Sequence, residues 1–262
     1  MADKGIDLQA NEDAFKKYLD KIKVTEDDYF MGKTTILKNQ NAALKQAMNF
    51  VKMMESLKQK SWKDPEFGPN DNDEHGAQSI YLGGVPIPGY PNPDDMAWLP
   101  PGDVCAPAKP MFLDGGATAN DVIQGEIGDC WLISGFATLA TEDSWIRGNF
   151  KPSAENIADD ISDEEAVGMT TGLYPPMFHF LRDYGIYVIR FFKNYHWVYV
   201  ILDDTLPCYT SSWDVPKLVF GKCVNPNEFW VPIVEKAYAK LHGTYQALIS
   251  GYIDDGLADM TG

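Results

Sequence analysis

The stretch QGEIGDCWLISGFATLA, residues 124–140, decides how the chain is read, because in it a polar, glycine-containing loop turns into an apolar helix at a cysteine. Leu132, Ile133, Phe136, Leu139 and Ala140 recur at helical spacing, so Cys130–Ala140 is expected to be a helix with that side buried. Asp129 stands at the N-cap, where a carboxylate accepts a hydrogen bond from a first-turn amide. Cys130 follows at the first helical position, where the positive end of the helix dipole favours thiolate. The charge of Asp129 works against that, so the helix terminus alone does not activate the thiol and a nearby imidazolium is needed. Gly125 and Gly128 keep the loop slim enough for a substrate backbone to approach. Gln124, six residues before the cysteine, carries an amide that can donate to a developing oxyanion beside the Cys130 backbone N–H. For a cysteine taken alone, a buried structural thiol is the commoner role.

Composition narrows the partners. The 262 residues suffice for one large or two small domains, and 45% hydrophobic content is ordinary for a globular chain. Against 22 basic residues stand 38 acidic ones, a net charge of −16, which disfavours nucleic acid and anionic lipid surfaces and suits a cation. No apolar run approaches the ~20 residues of a membrane span, and the charged first 30 residues do not read as a signal peptide. Cys105, Cys130, Cys208 and Cys223 lack CxxC spacing and read as reduced thiols, which points to a cytoplasmic protein.

Residues 1–62 read as a helical N-terminal extension, with one helix over Asn11–Ile22 and a longer one over Thr34–Lys60. The longer helix carries Leu37, Leu44, Ala47, Val51, Met54 and Leu57 at helical spacing. That seam packs on its own protein, or alternatively serves self-association or a partner through residues 34–60. Ten of the 17 prolines fall in residues 63–110, an extended, turn-rich segment. Within it DNDEHG (71–76) departs from a calcium loop of the EF-hand kind at His75 and Leu82 and reads as a polar loop. After Pro110 the chain is mixed. Ile186–Phe192 and Trp197–Leu202 read as an antiparallel pair turning at Lys193 and Asn194, and Phe229–Leu241 as a helix stopped by Gly243.

The pattern Gln-Gly-x-x-Gly-x-Cys-Trp matches papain-like thiol proteases, and QGEIGDCWLISGFATLA closely resembles the active-site segment of the calpain family. WVYVILDDTLP (197–207), NEFWVPIVEKAYAKLHGTYQAL (227–248) and the closing GLADMTG agree with it in order. The resemblance runs from about Trp98 to the last residue. It implies an α+β fold in which residues 111–262 form a papain-like helical subdomain with a central Cys-bearing helix and a small antiparallel sheet. It also implies a calcium-dependent cysteine endopeptidase acting on intracellular proteins, with Cys130 as nucleophile, Gln124 in the oxyanion hole and Trp131 supporting the cleft.

The same resemblance implies Ca²⁺ as cofactor. Its ligands would be the side chains of Asp121 and Glu228 and the backbone carbonyls of Asp114 and Gly116, all hard oxygen donors. Read alone, Asp121 is a turn or cap residue and Glu228 a first-turn helix charge. The family's catalytic His and Asn lie in a second, β-rich subdomain that begins after a segment like DMTG. None of His75, His179, His196 and His242 fits that role, and His242 follows Cys130 by only 112 residues. The expectation is therefore a fragment holding the nucleophile half of the site, inactive without the second subdomain of the same polypeptide. The alternative is a non-proteolytic homologue that acts as a calcium-responsive or scaffolding protein.

Overall fold

In the computed structural model, which describes residues 19–148, 170–210 and 215–262, nine strands and four longer helices alternate among these residues. They run β1 (Tyr29–Phe30), β2 (Lys33–Leu37), α1 (Gln40–Ser56), β3 (Met96–Leu99), β4 (Val122–Ile123) and α2 (Cys130–Leu139). There follow β5 (Ile186–Lys193), β6 (His196–Asp203), β7 (Leu206–Tyr209), β8 (Lys217–Leu218), β9 (Lys222–Cys223), α3 (Trp230–His242) and α4 (Ile253–Thr261). This is the α+β mixture expected. The contacts group the described parts of residues 1–62 with 144–201, and residues 63–143 with 202–262. The grouping thus differs from a division at 62 and 110.

The first unit holds a four-stranded sheet in the order β1-β2-β6-β5. The stretch Thr34–Leu37, expected to open a helix, instead lies in β2, which pairs antiparallel with β6 through Ile36↔Val200 and Leu37↔Tyr199. Thr34, Thr35 and Ile36 are β-branched, and such side chains lose little on a pleated surface. Asn39 then stops the strand and caps α1, its side-chain oxygen accepting from the Asn41 and Ala42 amides. Ala42, Ala43, Leu44, Ala47, Val51 and Met54 of α1 are buried, while Leu57, past the helix end, is 60% exposed. The helix expected over Asn11–Ile22 falls mostly outside the described residues; residues 19–21 are helical.

Strands β5 and β6 are buried nearly without interruption, so both faces are covered. They are joined by Asn194 and Tyr195, both with positive φ (52° and 66°), one residue later than expected. Two consecutive left-handed residues are what a tight hairpin turn of matching twist demands. Asn tolerates this readily. Tyr195 adopts it with its side chain 96% exposed.

The second unit contains the antiparallel sheet β3-β7-β8, the pair β4-β9, and helices α2, α3 and α4. Leu132, Ile133, Phe136 and Leu139 bury one side of α2, each contributing about 1.5–3 kcal/mol of apolar transfer. Cys130, Ser134 and Thr138 face out. Helix α3 is buried on every side from Trp230 to Leu241, including Glu235, Lys236 and Lys240. Burying three ionisable groups in one helix requires a partner for each. Lys236 Nζ has Asp203 Oδ1 at 2.6 Å, Thr205 O at 2.7 Å and Asp203 O at 3.1 Å, and Lys240 Nζ has Asp64 Oδ2 at 2.5 Å. The polar loop at 71–76 is a turn whose Asp73 carboxylate accepts the Ala77 and Gln78 amides.

Candidate active site

Cys130 is the first residue of α2, an exposed and free thiol at a helix N-terminus. The other three cysteines are free but buried. Burial pushes the Cys208 thiol up to about 12 and raises Cys105 and Cys223 as well, which keeps them protonated and inert. Gln124 lies just past β4, whose register on β9 (Val122↔Cys223, Ile123↔Lys222) fixes where the loop begins. Its Nε2 donates to Ile127 O at 2.8 Å within the same loop. A primary amide nitrogen has a second N–H, so this bond orients the group and leaves one donor over.

The indole of Trp131 is held from several sides. Its Nε1 donates to Leu248 O at 2.8 Å, and Tyr238 meets the ring edge-on at 6.0 Å. A Cβ on Gly251 would come within 2.4 Å of the ring and one on Gly256 within 3.0 Å, so these positions need glycine for the indole to lie flat. The serine after Leu248–Ile249, Ser250, returns to the loop by donating its N–H to Gly128 O at 3.0 Å. Backbone carbonyls of Leu248, Ile127 and Gly128 thus help to fix Trp131, Gln124 and the loop.

Two sequence expectations change here. Gly125 does not leave room for a substrate backbone, because a Cβ there would lie 2.1 Å from the Phe220 carbonyl carbon; the space is filled by the protein's own chain. Asp129 occupies the N-cap position but its side chain caps nothing. Its carbonyl accepts the Leu132 and Ile133 amides at 2.8 and 3.1 Å, while the carboxyl is turned into the interior.

The residues expected around a cation come together in part. Glu228 Oε1 accepts the Asp114 N–H at 3.1 Å, and Asn225 Nδ2 donates to Asp114 Oδ2 at 2.9 Å. Burial, together with the like charges of Asp121 and Asp114, pushes Glu228 up to about 6 despite the Asp114 amide. Asp121 Oδ2 accepts the Thr118 N–H at 2.6 Å, so its carboxyl serves the cap that sequence alone allowed. Gly116, at φ 125°, packs against the carboxylate of Asp143, which sequence reasoning did not single out. Among the described residues no three acidic, His or Cys side chains converge as a metal shell. The donor types are nonetheless those of a hard cation, and the mutual repulsion felt by Glu228 is what such a cation relieves.

Three of the four imidazoles have ring partners: His179 lies tilted against Tyr174, His196 meets Phe30 edge-on, and His242 lies tilted against Tyr238 with Asp259 at 4.0 Å; for His75 it is the backbone carbonyl that accepts the Trp98 indole N–H.

The site thus consists of an exposed thiol at the head of a helix, a side-chain amide oriented within the preceding loop, and a pinned tryptophan. Residues 62–262 match the model of the calpain family of cysteine proteases, and the chain belongs to that family. It is 32% identical over 202 residues to calpain-8 of Rattus norvegicus, covering 77% of this chain and 23% of that protein. It is 33% identical over 211 residues to a calpain-type cysteine protease of Zea mays (78% and 8%). Calpain-5 of Caenorhabditis elegans is 36% identical over 168 residues (64% and 22%). The chain therefore spans less than a quarter of the length of these relatives. No helix of the described residues is long and apolar enough to cross a membrane.

Proposed function

We propose that this chain is the nucleophile-bearing part of a calcium-dependent cysteine endopeptidase that cleaves intracellular proteins. The observation that carries the reading is Cys130, exposed at the head of α2, with the Gln124 amide oriented within the loop that leads into it. In the reaction the Cys130 thiolate attacks the scissile carbonyl carbon, and the carbonyl oxygen becomes an oxyanion. The Cys130 N–H, one of the orphan amides of the first helical turn, and the remaining Nε2–H of Gln124 hold that oxyanion. The amine leaves with a proton, and water then releases the acyl group from sulfur. The proton carrier is a His, oriented by an Asn, supplied by a second subdomain of the same polypeptide, without which the chain does not turn over. Four free thiols support a cytoplasmic location. A purely scaffolding homologue has no need of an accessible Cys130 and an oriented Gln124 together.

Iodoacetamide is expected to alkylate Cys130 well ahead of Cys105, Cys208 and Cys223, read by peptide mass mapping. Preferential labelling of any other cysteine sinks the nucleophile assignment.

Calcium is the cofactor this reading takes, held by the Asp121 and Glu228 carboxylates with the Asp114 and Gly116 carbonyls; it would neutralise the repulsion among the acidic residues there. Calorimetry with CaCl₂ should give binding heat that Asp121→Ala abolishes. Because Glu228 must give up its proton to bind, affinity should weaken as pH falls below about 6. Equal binding by the alanine variant would remove Asp121 from the site.

A further inference from the structure

Asp129 is 0% exposed, and neither carboxyl oxygen meets a donor in the geometry of the described residues. An isolated carboxylate in that position costs several kcal/mol. The group facing it is Glu235 of α3, also 0% exposed. Two carboxylates only repel; a carboxylic acid and a carboxylate form a strong hydrogen bond. The two lysines of α3 are committed elsewhere, Lys236 to Asp203 and Lys240 to Asp64. Glu235 accepts the Gly221 N–H at 2.8 and 3.1 Å through its two oxygens, and a Cβ on Gly221 would sit 3.0 Å from the carboxyl.

We propose that Asp129 and Glu235 share one buried proton, and that this hydrogen bond fastens both the Cys130 end of α2 and the Gln124 loop to α3. The path to the loop is continuous: Glu235 holds Gly221, the adjacent Phe220 backbone fills the space above Gly125, and Val219 O accepts the Glu126 N–H at 2.9 Å. The proton also leaves a single negative charge, not two, beneath the thiol. Burial, then the charge of Asp129, raises Glu235 well above the glutamate range, and burial raises Asp129 against the hydrogen bond Glu235 gives it, so the proton resides on Glu235. Tyr245, buried and stacked on Phe220 at 4.1 Å, is the further titratable group acting with the pair; Cys208 and Asp203 stand beyond it. Burial, with the single negative charge of the pair and that of Asp203, keeps its phenol neutral. The pair is therefore a positioning device for the proposed nucleophile. It rests on the protease reading for the role of Cys130 but not for its own existence.

The test is urea unfolding of the chain as a function of pH, for wild type and Glu235→Gln. The native pair keeps a proton that an unfolded glutamate releases near 4.5, so wild-type stability falls as pH rises above that value. Glutamine donates to Asp129 without a proton to lose. The variant's folding constant relative to wild type should rise up to about tenfold per pH unit above 4.5 and be flat below it. Asp129→Asn, whose amide donates to an ionised Glu235, should show the same trend. An infrared band of a protonated, buried carboxyl should persist in wild type at neutral pH and vanish in Glu235→Gln. A flat ratio, or no such band in wild type, overturns the shared proton even if the variants fold poorly. Amide exchange of residues 124–133 reads the fastening: protection kept in Glu235→Gln and lost in Glu235→Leu supports it, and equal loss in both overturns it. An inert Cys130 alongside the expected pH trend would refute the protease reading while upholding the pair.

Discussion

If the proposed reading holds, replacing Cys130 by alanine in an active form of the protein is expected to lower peptide cleavage by about 10⁴- to 10⁶-fold. The fluorescence of a quenched peptide released in the presence of CaCl₂ reads this directly. The loss is large because the nucleophile opens the only covalent path; what survives is the binding and oxyanion stabilisation that the rest of the site offers to water. Gln124→Ala should be milder, about 10²- to 10³-fold in kcat, with KM little changed. On the proposed reading its Nε2 would meet the oxygen only once charge develops there, and so act on the transition state and not the bound substrate. A variant that lost affinity instead of kcat would place Gln124 among substrate contacts. The two substitutions should not add, since without the nucleophile no oxyanion forms at that place.

The parts of this site carried by backbone pattern were legible in the sequence. Helical spacing from Leu132 to Ala140 gave the buried side of α2, and a cysteine at its head gave the exposed thiol. Family resemblance supplied Gln124, and the structure places its amide in the same loop. Side-chain direction was not legible. An aspartate before a helix suggests a cap on frequency alone, but Asp129 turns inward because Glu235, 106 residues later, lies under it, and no local pattern encodes that meeting. Gly125 failed for the same reason: its closeness to Phe220 is tertiary. The long N-terminal helix was overextended because Leu37 fits both a helical stripe and a strand. What decided was pairing with Val200 and Tyr199, again far along the chain. Helix α3 carried the clearest hint of its depth, since a Glu and two Lys within an otherwise apolar run must be either exposed or partnered. The sequence does not say which.

Asp203→Ala is expected to destabilise the second unit by about 3–5 kcal/mol at neutral pH, enough to unfold a marginal protein. The carboxylate is the hub of the buried network. Oδ1 accepts from Lys236 Nζ at 2.6 Å, Thr205 Oγ1 at 2.6 Å and Thr205 N at 2.9 Å, and Oδ2 accepts the Asp64 N–H at 2.8 Å. Burial opposes its charge, but the Lys236 ammonium and these donors outweigh burial and hold Asp203 below the ordinary aspartate value of 3.8. Truncation leaves the buried Lys236 charge without its counter-ion and orphans amides that water cannot reach. The sign of the pH dependence follows from the depressed value. Stability from Asp203 is fully present above 3.8 and is lost as pH falls through its lower folded value, so the gap between wild type and Asp203→Ala should close only in strong acid. The Asp64–Lys240 pair is the counter-case. Burial raises Asp64 and lowers Lys240 even against their mutual attraction, so this pair contributes little net stability. Lys240→Met alone should still cost about 3 kcal/mol, because Asp64 is then buried unpaired, whereas Lys240→Met with Asp64→Leu should recover most of the loss. Chemical denaturation of the four proteins measures all of this. A double variant as unstable as the single would show that Asp64 acts mainly through the Glu66 N–H it accepts at 2.9 Å, and not through the lysine.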